Sequence, residues 1–188
     1  MQQGVLRQRA PVSVKIRYLD GRRLKRAVLA GIDRLEERRE QLNNINVYPV
    51  PDADTGTNMA LTMRSVGDEL RHHFHRSIEK VCHAMAESAI LGSQGNSGAI
   101  LAQFIKGLAE GLGGKARATT EDFAAAVSRA KRAAYDALSK PHEGTILTVM
   151  NDWADHITSQ QKKCDDFAVL LRSALARAKE SLSHTPEK

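Results

Sequence analysis

Apolar positions along most of this chain recur at spacings of three and four, the period of an amphipathic helix rather than a half-buried strand. Leu24, Val28, Ile32 and Leu35 set that rhythm first, with Arg22, Arg23, Lys25 and Arg26 between them. They predict a helix from about Asp20 to Asn43. The same periodicity predicts further helices over about 58–72, 77–91, 98–111, 120–139, 144–159 and 165–182. The last of these carries Phe167, Leu170, Leu171, Ala174 and Leu175 on one face. Pro49 and Pro51, the Gly111–Leu112–Gly113–Gly114 run and Pro141 fall between helices, where breakers belong. Alternation occurs only from Val12 to Ile16, a length that suits an extended arm. The expected class is all-α, with Ala-rich segments such as Ala124–Ala126 and Ala133–Ala134 favouring close helix approach.

Composition fits a globular domain. The chain has 188 residues, 41% of them apolar and 27% charged. No apolar stretch approaches the ~20 residues of a membrane span, and Arg7 and Arg9 interrupt any signal core after Met1. Cys82 and Cys164 lie too far apart for paired-Cys spacing, which argues against a disulfide framework or zinc ribbon and for a reducing cytoplasm. The net charge of +6 is local. Residues 1–40 hold eleven Lys/Arg against five Asp/Glu, while the remainder holds 17 of each. The basic character therefore belongs to an N-terminal arm, residues 1–18, and to the first helix. Only eight aromatics accompany it, which disfavours nucleic-acid binding. A solvated helix face or a docking arm for an acidic partner is the better reading. His72, His73 and His75 suit a helix C-terminus without a metal.

Candidate chemistry lies at three places where small polar residues precede a helix. The first runs from Asn46 through Asp52, Ala53, Asp54, Thr55, Gly56 and Thr57 to Asn58. Pro49 and Pro51 stiffen the approach and hold both aspartates on a loop. In extended backbone the two carboxylates would point apart; a turn helped by Gly56 would let them converge on a hard cation such as Mg²⁺. Thr57 or Asn58 would then cap the next helix. The second is Gly92–Ser93–Gln94–Gly95–Asn96–Ser97–Gly98, whose glycines admit a close ligand and whose helix start favours an anion. The third is Pro141–His142–Glu143–Gly144–Thr145. One such junction is ordinary capping. Three in one chain, one with paired carboxylates, read as a metal–polyphosphate site. No Gly-Lys-Ser/Thr follows the glycines and no strand precedes them, so neither a P-loop nor a dinucleotide fingerprint is present.

Leu19–Asp20–Gly21, Ala30–Gly31, Leu42–Asn43 and the run from Asn46 to Met59 closely resemble the kinase domain of bacterial fatty acid kinase. That domain is similar to the nucleotide-binding L subunit of dihydroxyacetone kinase. Gly95–Asn96–Ser97–Gly98 and Glu143–Gly144–Thr145–Ile146–Leu147–Thr148–Val149 match two further family motifs, in order. The resemblance extends from about Leu19 to Pro186, within a domain of residues 19–188. It implies an antiparallel barrel or bundle of about eight helices that binds ATP or ADP with Mg²⁺ at one end. Asp52 and Asp54 would hold the metal and serve catalysis, with Asn46 near the place of a third ligand. Thr55, Gly56, Thr57 and Asn58 would meet the phosphates; Gly95, Asn96, Ser97 and Gly98 would cradle them; Thr145 and Ile146 would lie nearer the nucleoside. A DegV-type protein or fused domain would carry the fatty acid that becomes an acyl phosphate.

Three departures qualify the resemblance. Ala53 stands where the family usually has Gly, Gln94 replaces a common Arg, and the chain stops at Lys188, where relatives continue into a Gly-rich segment. The expectation is a domain excised from a longer chain, through whose remainder a homodimer would form. Thr55 follows the second Asp where the dihydroxyacetone kinase subunit has His, which favours the fatty acid branch over that alternative. A non-catalytic helical adaptor that docks a lipid-binding partner is the alternative from another class.

Overall fold

The computed structural model describes residues 14–48, 50–72 and 74–187. Most of the proposed N-terminal arm, Pro49 and His73 therefore lie outside the described residues. Among the described residues eight α-helices run in the order α1 (Gly21–Glu37), α2 (Arg39–Asn44), α3 (Thr55–His72), α4 (Ile78–Leu91), α5 (Gly95–Gly111), α6 (Thr120–Asp136), α7 (Ile146–Gln160) and α8 (Phe167–Ser183). The all-α class holds.

Asp20 starts α1 by accepting the backbone N–H of Arg23 at 2.9 Å, an N-cap in extended backbone. The helix expected to run unbroken to Asn43 is in fact two. Arg38 leaves the helical basin (φ −109°, ψ 6°), and the short α2 turns against the start of α3. Gly56 permits that approach, because a Cβ there would collide with the carbonyl oxygen of Arg39.

From α3 onward each helix packs on the next in chain order, and α1 lies across α3 and α4. Side-chain pairs fix the directions. Gly107 faces Ala130 while Gly111 faces Ala126, so α5 and α6 are antiparallel. Lys131 meets Asp155 at 2.7 Å, and Tyr135 meets Glu143, just before α7, at 3.2 Å, so α6 and α7 are antiparallel too. Arg177–Asp152 and His156–Ser173, both at 3.0 Å, repeat the relation for α7 and α8. Since α1 and α8 share no substantial face, the arrangement is a bundle rather than a closed ring. The extended segment before α1 ties its two sides together: Phe167 N–H donates to the Ile16 carbonyl at 2.9 Å, and Ile16 N–H donates to Asp166 Oδ1 at 3.2 Å.

The periodicity did not reveal a two-residue antiparallel pair, β1 (Leu19–Asp20) with β2 (Arg117–Ala118). It sits at the end where α1 begins and α5 finishes. The core is aliphatic and alanine-rich, with Val66, Leu70, Ile78, Leu112, Val127, Leu147, Ile157 and Leu170 fully enclosed. Phe123 packs edge-on against Phe167 and Trp153, at centroid distances of 5.6 and 6.4 Å, which places Trp153 against the core. Burial pushes the Cys82 thiol up to about 12, so it stays protonated and inert. Among the described residues no helix is long and apolar enough to cross a membrane.

Thr119 and Asp122 form a reciprocal capping box at the start of α6, and Lys115 sits 2.8 Å from the Asp122 carboxylate. The Lys115 hydrogen bond, then the backbone bond to Thr119, hold the Asp122 carboxyl below the usual range. A depressed folded-state pKa stabilises the fold fully above the unfolded value of about 3.9, and that contribution is lost as pH falls through the lower folded value. Asp122→Ala is therefore expected to cost about 1 kcal/mol near neutral pH and to flatten the acid limb of stability. Urea denaturation at pH 7 and pH 3 checks both.

Candidate functional site

The three junctions meet at one end of the bundle. Asn58 of α3 lies against Gly95 of α5, and Thr62 against Gly98, so these two helices run parallel with their N-termini together. Thr55 and Ser97, one from each first turn, approach to 3.2 Å between hydroxyl oxygens. Because α5–α6 and α6–α7 are both antiparallel, α7 also starts at this end. The Tyr48 ring meets His142 edge-on at 6.2 Å, joining the aspartate loop to the third junction. Three helix N-termini thus present their positive ends to one region, an arrangement that attracts polyanions.

The aspartate loop turns differently from expectation. Gly56 is not its flexible point; it is buried inside α3. The turn falls on Ala53 at φ +53°, the only non-glycine residue with positive φ among those described. This left-handed residue breaks the extended alternation that would send Asp52 and Asp54 to opposite sides. The Asp54 carbonyl accepts the N–H of Asn58 at 2.8 Å, so α3 begins at Thr55. Thr57 and Asn58 therefore lie within the first turn and are not its cap. Asp52 is exposed and Asp54 half-buried. Asn46 donates through Nδ2 to Asp52 Oδ1 at 2.7 Å and so orients that carboxylate.

Strain at Ala53 yields a direct expectation. A β-branched side chain at positive φ is far less tolerable than alanine. Ala53→Val is expected to lose about 1–2 kcal/mol of stability, whereas Ala53→Gly relieves strain and gives back a similar amount through unfolded-chain entropy, leaving stability within about 1 kcal/mol of the parent. Thermal and urea melts of the two variants separate these outcomes.

At the second junction, Gly95 has φ +57°, and Gln94 caps α5 with no side-chain hydrogen bond. The first-turn amides of α5 are consequently left without a side-chain cap. Gly95 and Asn96 are exposed, Ser97 is half-buried, and Gly98 is buried against Thr62. At the third junction Thr145 caps α7 by accepting the Leu147 N–H at 3.3 Å, and Ile146 is half-buried. Glu143 is held by Tyr135 at 3.2 Å and by Thr148 at 2.5 Å, while Gly144 N–H donates to the Thr148 hydroxyl at 2.9 Å. Burial, then the charge of Glu143, raises the Tyr135 phenol above its ordinary value, so it remains a hydrogen-bond donor.

Sequence reasoning assigned no role to the residues that fasten these junctions. Buried Asn43 grips Thr57 twice, accepting its N–H at 3.0 Å and donating to its hydroxyl at 3.0 Å. Buried Thr62 accepts the Gln94 N–H at 3.1 Å and donates to the Asn58 carbonyl at 2.8 Å, linking the first junction to the second. A polar residue within an apolar helix face is the one signal by which Thr62 could have been found.

Among the described residues no group of three or more His, Cys, Asp and Glu gathers to enclose a metal. Two loop carboxylates beside an amide suit a different kind of site. Mg²⁺ is usually held by one or two protein carboxylates and completes its shell with water and phosphate oxygens. The donors present fit a metal shared with a polyphosphate.

Residues 49–188 match the DAK2 domain family, and the chain belongs to that family. It is 38% identical over 174 residues to protein YloV of Bacillus subtilis, covering 93% of this chain and 32% of that protein. An uncharacterized protein of Staphylococcus saprophyticus is 34% identical over 168 residues, covering 89% of this chain and 30% of its own length. Another, from Staphylococcus haemolyticus, is 32% identical over 171 residues, covering 91% of this chain and 31% of its own. The chain spans about a third of the length of these curated relatives.

Proposed function

We propose that this domain is the ATP- and Mg²⁺-dependent phosphotransferase part of a fatty-acid-kinase-like protein, converting a fatty acid to its acyl phosphate. The observation that carries this reading is the meeting of three helix N-termini with a double-aspartate loop at one end of the bundle. Membership in the DAK2 family and the motif resemblance support the kinase class. The fatty acid acceptor rests on the resemblance alone.

In this reading Asp52 and Asp54 hold Mg²⁺, and Asn46 sets the orientation of Asp52. The ion, when bound, neutralises charge on the β- and γ-phosphates. Thr55, Thr57, Asn58 and the exposed start of α5 bind phosphate oxygens through hydroxyls and amides. Gly56 and Gly98 act indirectly, by letting α2 and α5, respectively, come close enough to α3 to place those groups. Thr145 and Ile146 border the nucleoside. An acyl carboxylate is already ionised near neutral pH, so its oxygen attacks the γ-phosphorus without a general base while the bond to ADP breaks. A DegV-type protein or fused domain presents that carboxylate.

The decisive assay supplies ATP, Mg²⁺, a long-chain fatty acid and a DegV-type carrier, then traps acyl phosphate with hydroxylamine. Acyl hydroxamate formed only with all four components supports the reading. ATP binding without any transfer to that acceptor restricts the domain to nucleotide binding or a different acceptor. The strained Ala53 favours the adaptor as the second reading, in which the same surface docks a lipid-binding partner without turnover.

A further inference from the structure

The end of the bundle opposite the aspartate loop has a chemistry of its own. Arg64 of α3 meets Glu36 near the end of α1 at 2.8 Å, so α1 runs antiparallel to α3 and begins at the far end. Backbone bonds weld that end into one surface. Gly21 N–H donates to the Arg76 carbonyl at 2.9 Å, Ile78 N–H to that of Ala116 at 3.1 Å, and β1 pairs with β2. The residue clusters 18–26, 74–80 and 115–118 are therefore neighbours.

Arg22, Arg23, Arg26, Arg76, Lys80 and Arg117 are exposed on this surface, and none has a carboxylate partner among the described residues. Nearby acids are already engaged: Asp20 caps α1, Glu79 accepts from Gly114 N–H at 2.9 Å, and Asp68 pairs with Arg71 at 3.0 Å. Apolar tips stand within this cationic field. Phe74 is 61% exposed with the Arg22 guanidinium 5.8 Å from its ring centre, and Tyr18 is 47% exposed. The groove of about 430 Å³ beside this surface is of mixed charge: Arg17, Lys162 and Lys163 line it together with Glu121 and Asp165, and Asp165 already pairs with Lys15 and Arg17.

From this we infer that the far end of the bundle docks on an anionic lipid bilayer, with Phe74 and Tyr18 at headgroup depth and the unpaired cations against lipid phosphates. Two features favour a bilayer over a nucleic acid. The apolar groups protrude from loops and strand ends, as interfacial anchors do, rather than lining a channel for stacked bases. The cations without a carboxylate partner also surround these tips, whereas the neighbouring groove carries acids as well as bases. Docked this way, the aspartate loop at the opposite end faces water. The inference is independent of which acceptor the domain phosphorylates.

Flotation with vesicles of phosphatidylcholine, alone or mixed with phosphatidylglycerol, tests it at low and high salt. Binding is expected only to the anionic vesicles and is expected to fall steeply with salt, since each surface cation contributes roughly a fivefold factor in partition. Arg22→Glu, Arg26→Glu and Arg76→Glu together are expected to lower partition at least ~100-fold, and Phe74→Ser to remove the part that survives salt. All four positions are exposed, so melting temperature should not move. Equal partition onto neutral and anionic vesicles, or no binding to either, overturns the proposal. Tighter binding to a random-sequence RNA than to anionic vesicles at the same salt also overturns it, in favour of a nucleic-acid surface.

Discussion

Replacing Asp52 and Asp54 together by Asn is expected to abolish Mg²⁺-dependent ATP binding while leaving the fold intact. Neither carboxylate is paired with a cation among the described residues, and both lie on the loop rather than in the core. Removing their charges therefore costs no buried ion pair. The loss falls on the metal. Disturbing groups that merely orient metal ligands typically costs 10–100-fold in affinity, so neutralising both ligands should cost at least about a hundredfold. Calorimetric titration measures the affinity, and a thermal melt without nucleotide controls for the fold. Affinity within threefold of the parent would mean that the metal lies elsewhere.

The second large effect is expected at Gly56. The sequence motif suggests a phosphate-facing glycine, whereas the structure buries it against α2, where a Cβ would meet the Arg39 carbonyl and lie 2.9 Å from both Asn43 Oδ1 and Leu42 Cβ. Gly56→Val must push α2 off α3. Overpacking alone costs about 1–3 kcal/mol, and loosening the paired Asn43–Thr57 bonds adds about 1–3 kcal/mol more. The expected loss is about 3 kcal/mol or greater by urea denaturation, with nucleotide affinity falling as a consequence. Gly31→Ala is the matched control. A Cβ there meets nothing, so helix propensity should raise stability by up to about 1 kcal/mol.

Long amphipathic runs made the bundle legible. Leu24 to Leu35 and Phe167 to Ala174 marked α1 and α8 because each turns one stripe toward the core, although Leu175, expected on the same face, is exposed. The break at Arg38 carried no proline or glycine, and it arises from tertiary packing of α2 on α3, which local pattern does not encode. The β1–β2 pair is two residues long, too short for alternation to register.

At the site, the aspartates and the three junctions were legible because proline, glycine and small polar residues punctuate the chain there. The division of labour among the glycines was not. Gly95 and Gly98 share one motif, yet one supplies a left-handed backbone and the other a close helix crossing. Ala53 in the place where the family usually has Gly marked the position, and the backbone gives it a positive φ. Asn43 entered only as part of a motif and Thr62 not at all, because their value comes from partners 14 and 32 residues away.

Titrating ATP into the unmodified chain, first with Mg²⁺ and then with EDTA, tests the central claim most directly. The account predicts saturable one-to-one binding with Mg²⁺ that EDTA removes, the behaviour expected of two carboxylates and three helix N-termini that share the metal and the phosphates under the proposed reading. Binding of equal strength in EDTA, or none under either condition, would contradict it.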